Sequence, residues 1–354
     1  MMMTKLCPHL IGGSGDGLRL CREARSPVVK LVDDFGPARD YAALPHKPLI
    51  VGRVTQAREI DPNALLMTPP QIVAQDYFGQ VLWPHISANP LVQAWEGPNE
   101  VVCQAVESMA WFSQFETRRV ELLSAVGKQA VVGNFGVGQP EPHLWAHFHE
   151  AILAANRYNG FVGVHEYSEP SRGVDTWYMG RLTRIPYQCR VIVTECGTDS
   201  LPPVPEDGSQ PQRHPAGKPW RQQFNGDVNA YAEFLLKYDA WMQTRPEVVG
   251  ATIFTFGGLW PDHNVEGSGL ADILIRRTAS APPPPPPVVD GATHEVSASV
   301  LNVRAHPWTG NVIPPRTRTL ARGARVTVYG EYRKWGCISP DGNEWVSLTY
   351  LRAL

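Results

Sequence analysis

Leu91-Val92-Gln93-Ala94-Trp95-Glu96-Gly97-Pro98-Asn99-Glu100 and Val191-Ile192-Val193-Thr194-Glu195-Cys196-Gly197 are the two stretches that decide the fold. Each is a short apolar run that leads into a glutamate, and Glu100 and Glu195 stand 95 residues apart. Runs of this length, rich in β-branched and aromatic residues, read as parallel strands buried on both faces. The chain holds eight such runs: Pro8–Gly12, Val28–Val32, Leu49–Arg53, Leu91–Trp95, Ala130–Asn134, Phe161–His165, Arg190–Glu195 and Gly250–Thr255. Helical patterns lie between them. Val101–Val126 carries Val102, Val106, Met109 and Phe112 at helical spacing, and Leu144–Arg157 and Val228–Thr244 read the same way. Alternating strand and helix over this length predicts an α/β fold, a (β/α)8 TIM barrel. A doubly wound open sheet is the competitor, and it would need a phosphate-binding turn after an early strand. Gly12-Gly13-Ser14-Gly15-Asp16-Gly17 is glycine-rich but has neither the Gly-x-Gly-x-x-Gly spacing nor a Gly-Lys-Ser/Thr, and is read as a flexible loop.

The composition suits a chain with a large core: 354 residues, 43% hydrophobic and 19% charged. A net charge of −2 gives no reason to expect nucleic acid as a partner. No apolar stretch is long enough to predict a membrane span. Met1-Met2-Met3-Thr4-Lys5-Leu6-Cys7-Pro8 lacks the charged start, apolar centre and small-residue cleavage site of a secretory signal, although action outside the cell or at a cell wall is expected from the chemistry below. The sharpest boundary is Pro282–Pro287, six prolines in succession, which exclude helix and inner strand and predict a stiff rod. The expected organisation is a barrel domain over 1–278, a proline-rich linker over 279–290 and a small all-β module over 291–354.

The mouth of a (β/α)8 barrel, where strands give way to loops, is where chemistry is placed. The strand ends offer Arg53, then Glu96, Asn99 and Glu100, then His165-Glu166-Tyr167, then Glu195, then Phe254-Thr255-Phe256 with Trp260 beyond. Two carboxylates on one mouth are the minimum apparatus for glycosidic cleavage, in which one protonates the leaving oxygen and the other attacks or activates water. The bland readings are specific too. A glutamate at a strand end can cap a helix, Arg53 can pair with a core carboxylate, and Trp260 can be a packed lid residue. Glu96 and Glu166 suit structural or subsite roles. His143 and His147 are spaced for one helix face but lack a third ligand, so no metal is expected, and no cofactor. The six cysteines, at 7, 21, 103, 189, 196 and 337, form no Cys-x-x-Cys and read as reduced core residues. Cys196 beside Glu195 keeps a thiol-nucleophile reading open.

Pro98-Asn99-Glu100 and Val193-Thr194-Glu195, with His165-x-Tyr167 between them, resemble the clan A glycoside hydrolases over roughly residues 8 to 278. In that clan the acid/base follows an asparagine after strand 4 and the nucleophile is a glutamate ending strand 7. The resemblance departs from the commonest Trp-Asn-Glu-Pro pattern, since Gly97-Pro98 precedes the pair and Val101 follows it. It implies a retaining β-glycoside hydrolase acting on a polysaccharide. Glu195 would be the nucleophile and Glu100 the general acid and then base. Tyr167 and Arg53 would donate to Glu195, and Asn99 would hold a sugar 2-hydroxyl. His165 would position that shell, and Trp260 would stack on a pyranose. The alternatives are a carbohydrate-binding barrel without activity and a cell-wall lytic enzyme of phage origin. The proline-rich loop Thr198–Asn225 would shape the cleft.

After the linker, Val300–Val303, Arg325–Tyr329, Trp335–Ile338 and Glu344–Ser347 read as short strands, with Asp341-Gly342 as a hairpin turn. Leu301-Asn302-Val303-Arg304, Trp335 and Glu344-Trp345-Val346-Ser347 followed by Tyr350-Leu351 resemble the bacterial SH3-like domains. That resemblance implies a small β-barrel whose ligand is cell-wall peptidoglycan. A tether of this kind would raise the concentration of a catalytic domain at an insoluble carbohydrate polymer.

Overall fold

Apolar segments with no polar face need cover on both sides, and eight of them find it in a closed parallel sheet. In the computed structural model, residues 4–55, 60–174, 178–199, 218–258, 260–280, 293–304, 316–328, 330–332, 334–339 and 344–353 are described. The strands are β1 (Leu6–Ile11), β2 (Val28–Val32), β3 (Leu49–Arg53), β4 (Ala94–Glu96), β5 (Gln129–Phe135), β6 (Phe161–Ser168), β7 (Val191–Thr198) and β8 (Val248–Phe256). Each pairs in parallel with the next, and β1 pairs with β8, so the sheet is a closed barrel with helices outside. That is the architecture of a TIM barrel, and the open-sheet alternative is excluded by the β1–β8 pairing.

Two cores follow from the alternation of side chains across the sheet. Cys7, Val28, Val51, Ala94, Val131, Phe161 and Ile192, one from each of β1 to β7, cluster inside the barrel and plug its base. Val29, Leu31, Ile50, Trp95, Val132, Val162 and Val193 belong to the second core, shared with the helices. Above the plug the inward positions turn polar: His9, Lys30 and Glu96 are all buried, each two residues beyond a plug residue on its strand.

Irregularities place the site. The β6–β7 register runs Val164↔Val193 and then His165↔Glu195, so β7 carries one extra residue at Thr194. Strict alternation from Ile192 would turn Glu195 toward the helices. The bulge turns it inward instead, as bulges do when they re-aim a side chain. A second shift, between Gly133 and Phe135 of β5, accompanies Asn134 at φ 45° and sends Phe135 into the outer core. The helix Val106–Ala125 is bolted to β4 and β5. Its Arg119 is fully buried, pairs with Glu116, and donates to the carbonyls of Trp95 at 3.1 Å and Val131 at 2.7 Å. A Cβ on Gly97 would meet that Arg119–Glu116 pair at 2.7–2.9 Å, so only glycine fits where the chain leaves β4.

Several boundaries differ from expectation. β4 begins at Ala94, because Val92 closes a turn on the carbonyl of Asn89. β6 and β7 run on to Ser168 and Thr198, so His165 and Glu195 lie within strands rather than at their ends. The Gly12–Gly17 segment is not a flexible loop. Ser14 caps the helix Gly15–Ala24, accepting from Gly17, and the Glu266 carboxylate accepts from the amides of Gly15 and Asp16. His143 and His147 lie in a 3-10 turn, Pro142–His147, rather than in an α-helix.

The chain divides into two compact units, Met1–Ala281 and Pro282–Leu354. The second unit has two antiparallel sheets. Arg316–Ala321, Val300–Arg304, Trp345–Ser347, Trp335–Cys337 and Gly330–Tyr332 form one, and Arg325–Thr327, Thr293–Val296 and Leu351–Ala353 the other. Val296, Leu301, Val303, Val328, Ile338 and Val346 are their core. The proline run and the Asp341-Gly342 turn lie outside the described residues, as does most of the Thr198–Asn225 loop.

Removing one member of a buried ion pair strands the other. Arg119→Ala is therefore expected to destabilise the barrel by about 3–5 kcal/mol, and replacing Arg119 and Glu116 together by leucine by much less. Denaturant unfolding checks both, and an Arg119→Ala variant of wild-type stability would contradict the account.

Candidate functional site

The polar layer above the plug is organised around Glu195. Its Oε1 accepts from Arg53 at 2.7 Å and from Lys30 at 3.3 Å, and its Oε2 accepts from the Tyr167 hydroxyl at 2.9 Å. His165 Nδ1 stands 3.5 Å from Oε2. Burial alone would push this carboxyl up. The electrostatic pull of His165, Lys30 and Arg53 outweighs burial and holds it well below the usual carboxylate range. Glu195 is thus an ionised carboxylate at the floor of the mouth.

Lys30 reaches it by virtue of the bulge, which frees the Thr194 carbonyl from the ladder. That carbonyl accepts from Lys30 Nζ at 3.0 Å and from Thr252 Oγ1 at 2.6 Å. Glu96 Oε2 is 3.1 Å from the same Nζ, an ion pair whose angles fall short of a hydrogen bond. On the far side His9 packs edge-on against Phe254, ring centres 5.0 Å apart. Burial first, and then Lys30, drive its imidazole well below the ordinary histidine range, so His9 is neutral.

Glu100 comes from the loop after β4 and is held by its backbone. It sits at φ 50°, a left-handed conformation costly for a non-glycine residue. Its amide donates to the Asn134 carbonyl at 3.0 Å. Its carboxyl lies against Gly136, where a Cβ would approach Oε1 to 3.1 Å. The side chain is 35% exposed, in contrast to Glu195. His165 Nδ1 is 2.9 Å from Glu100 Oε1. One imidazole nitrogen therefore stands between the two carboxylates. Beside Glu100 opens a cleft of about 410 Å³ lined by Arg53, Thr55, Asp61, Asn63, Asn99 and Gln104 among others.

The residues singled out from the sequence are distributed as follows. Glu100, Glu195, His165, Tyr167 and Arg53 converge. Asn99 is exposed and lines the cleft without reaching Glu195 in any contact described. Trp260 is 54% exposed at the rim and edge-on to Phe254, whose ring in turn meets Tyr167. Glu96 is fully buried beneath the site as the partner of Lys30. Glu166 faces the other way. Burial pushes it up to about 7, and it accepts from Tyr238 and from the amides of Gly180 and Leu182, anchoring the loop outside the barrel. Among the described residues no group of three or more His, Cys, Asp or Glu could hold a metal ion. Sequence reasoning missed Lys30, His9 and Asn134. The signal for Lys30 was a lone charge inside Val28-Val29-Lys30-Leu31-Val32, where a buried strand needs a partner for it.

Comparison with known proteins follows from this geometry. No family model matches the chain, and no curated protein does. Solved structures with a similar barrel include a β-glucuronidase of an uncultured Clostridium sp., at 13% identity and TM-score 0.43, covering 79% of this chain and 51% of that one. A β-mannanase from Alicyclobacillus acidocaldarius matches at 11% identity and TM-score 0.45, over 79% of this chain and 98% of its own. An endo-β-1,3-glucanase from Sorangium cellulosum matches at 14% and TM-score 0.43, over 78% and 99%. The chain spans about half the length of the glucuronidase. At these identities the likeness is one of barrels, and the reading of the site rests on its own residues.

The thiol-nucleophile alternative is overturned. Cys196 is fully buried on the helix side of β7, and burial pushes its thiol well above the ordinary range. Native protein at neutral pH is expected to leave Cys196 unmodified by iodoacetamide, as read by peptide mass spectrometry. Alkylation there as fast as in unfolded protein would contradict the burial.

Proposed function

We propose that the chain is a retaining β-glycoside hydrolase acting on a polysaccharide. The observation that carries this reading is the pair of carboxylates flanking His165 Nδ1, at 2.9 Å from Glu100 and 3.5 Å from Glu195. The two oxygens can be no farther apart than the sum of those distances. That upper limit, 6.4 Å between the nearer oxygens, admits the spacing of about 5–5.5 Å used by retaining enzymes.

The roles divide by environment. Glu195, ionised and clasped by Arg53 and Tyr167, attacks the anomeric carbon and forms the glycosyl-enzyme. Glu100, half-exposed at the cleft, gives its proton to the departing glycosidic oxygen, then takes one from the water that releases the sugar. His165 keeps the two carboxyls in register. Asn99 and the polar cleft beside it are placed to meet hydroxyl groups, and Trp260 offers an exposed ring face to a pyranose.

The second unit is proposed to hold the enzyme on a cell-wall polymer, peptidoglycan in the first instance. Support comes from the Leu301-Asn302-Val303-Arg304 and Trp345 motifs, and from Leu301, Val303 and Val346 forming the core of a small β unit. A phage-type lytic role would combine the two functions.

Hydrolysis of a panel of aryl β-glycosides and soluble β-glucans tests the first claim. Glu100→Ala is expected to lower kcat by about 10²–10⁴, the usual contribution of a positioned acid and base, and Glu195→Gln to abolish turnover. Wild-type activity in both variants would sink the assignment, and a protein that binds glycans but cleaves none would be a lectin-like barrel. For the second claim, the full chain is expected to sediment with insoluble cell walls and a chain ending at Ala281 to stay in solution. Equal sedimentation of the two would rule the tether out.

A further inference from the structure

Lys30 lies fully buried in the middle of β2, where an ammonium is tolerated only if acceptors replace its water. Three do so: the Thr194 carbonyl at 3.0 Å, Glu96 at 3.1 Å and Glu195 at 3.3 Å. Glu96 is equally buried, and neither of its oxygens has a hydrogen-bond partner among the described residues, so Lys30 is its counter-charge. One ammonium is therefore shared by two carboxylates, of which only Glu195 faces the mouth.

We propose that Lys30 and Glu96 form a positioning pair that sets the charge of Glu195: the ammonium holds Glu195 ionised at rest and passes its pairing to Glu96 when Glu195 loses its charge. The second half rests on the hydrolase reading. In the first chemical step a bond forms between a Glu195 oxygen and the anomeric carbon, and the bond from that carbon to the leaving oxygen breaks. The proton of Glu100 passes to that oxygen. One negative charge leaves Glu195 and appears on Glu100. Without Glu96, Lys30 would then be a buried cation with only a carbonyl beside it. With Glu96 it remains paired, and neutralising Glu195 costs less.

The other groups facing Glu195 do not supply this function. His9 on β1 is neutral, and Tyr167 is a neutral donor. Arg53 on β3 is bound to the same Oε1 and has one side open to the cleft. His165 is divided between Glu195 and Glu100. His263, beyond β8, is pushed below the ordinary histidine range, first by burial. Among the described residues, Lys30 alone touches both Glu195 and a second carboxylate sealed from solvent.

The test is a carboxyl titration of the intact protein by ¹³C NMR with labelled glutamate, Glu195 being assigned through Glu195→Gln. It needs no glycoside, so it stands or falls separately from the hydrolase reading. Lys30→Met is expected to raise the Glu195 midpoint by about a tenfold change in its acid constant or more. Glu96→Gln, which leaves Lys30 to Glu195 alone, is expected to keep Glu195 ionised to at least as low a pH as in wild type. Should Lys30→Met fail to fold, the double variant Lys30→Met/Glu96→Gln removes the pair together and is expected to show the same rise. An unmoved midpoint in the folded Lys30 variants would overturn the proposal. So would a rise in Glu96→Gln equal to that in Lys30→Met, since it would mean general disruption of the barrel floor.

Discussion

An ionised carboxylate inside a protein persists only where fixed charges and donors replace the water it has lost. Glu195 meets that condition inside the barrel, and much of the local structure can be understood from it. The bulge at Thr194 turns the side chain inward. The same bulge frees a carbonyl that helps hold Lys30. Arg53 and Tyr167, from β3 and β6, close around the two oxygens. The apolar plug beneath keeps solvent from reaching the cluster from the base of the barrel. Each feature is unfavourable or purposeless alone, and together they keep a charged group at a fixed point facing the cleft.

The second carboxylate is held on the opposite principle. Glu100 is placed by backbone, through a left-handed residue, an amide bound to Asn134 and a glycine at position 136 that leaves its carboxyl room. Arg119, tying the helix Val106–Ala125 to the Trp95 and Val131 carbonyls of β4 and β5, fixes the strands between which that loop departs. The side chain itself stays partly in water. Two chemically identical groups thus occupy unlike surroundings, which is the condition for giving them different protonation roles.

The barrel was legible because parallel strands covered on both faces must be apolar, and Val28–Val32 and Leu49–Arg53 fall where the sequence predicts them. Glu100 and Glu195 were legible as carboxylates at the close of such runs. What placed them together was not. Counting alternation from Ile192 sends Glu195 outward, and the bulge that reverses this depends on pairing with β6. Asn134 is displaced in the same way. The helix at Gly15 could not be foreseen from glycines alone, since the carboxylate that caps it belongs to Glu266, at the other end of the barrel sequence. Lys30 was visible as a charge among valines, but its partners come from β4 and β7. Cys196 next to Glu195 suggested reactivity, yet adjacent residues on a strand face opposite ways, and it lies in the outer core.

The measurement that bears most directly on the central claim is the anomeric configuration of the first-formed product, followed by ¹H NMR during hydrolysis of a β-glycoside. Double displacement through Glu195 is expected to release the β-anomer first, with the α-anomer appearing only by mutarotation. Initial release of the α-anomer would mean that water, not Glu195, attacks the sugar, and would contradict the account.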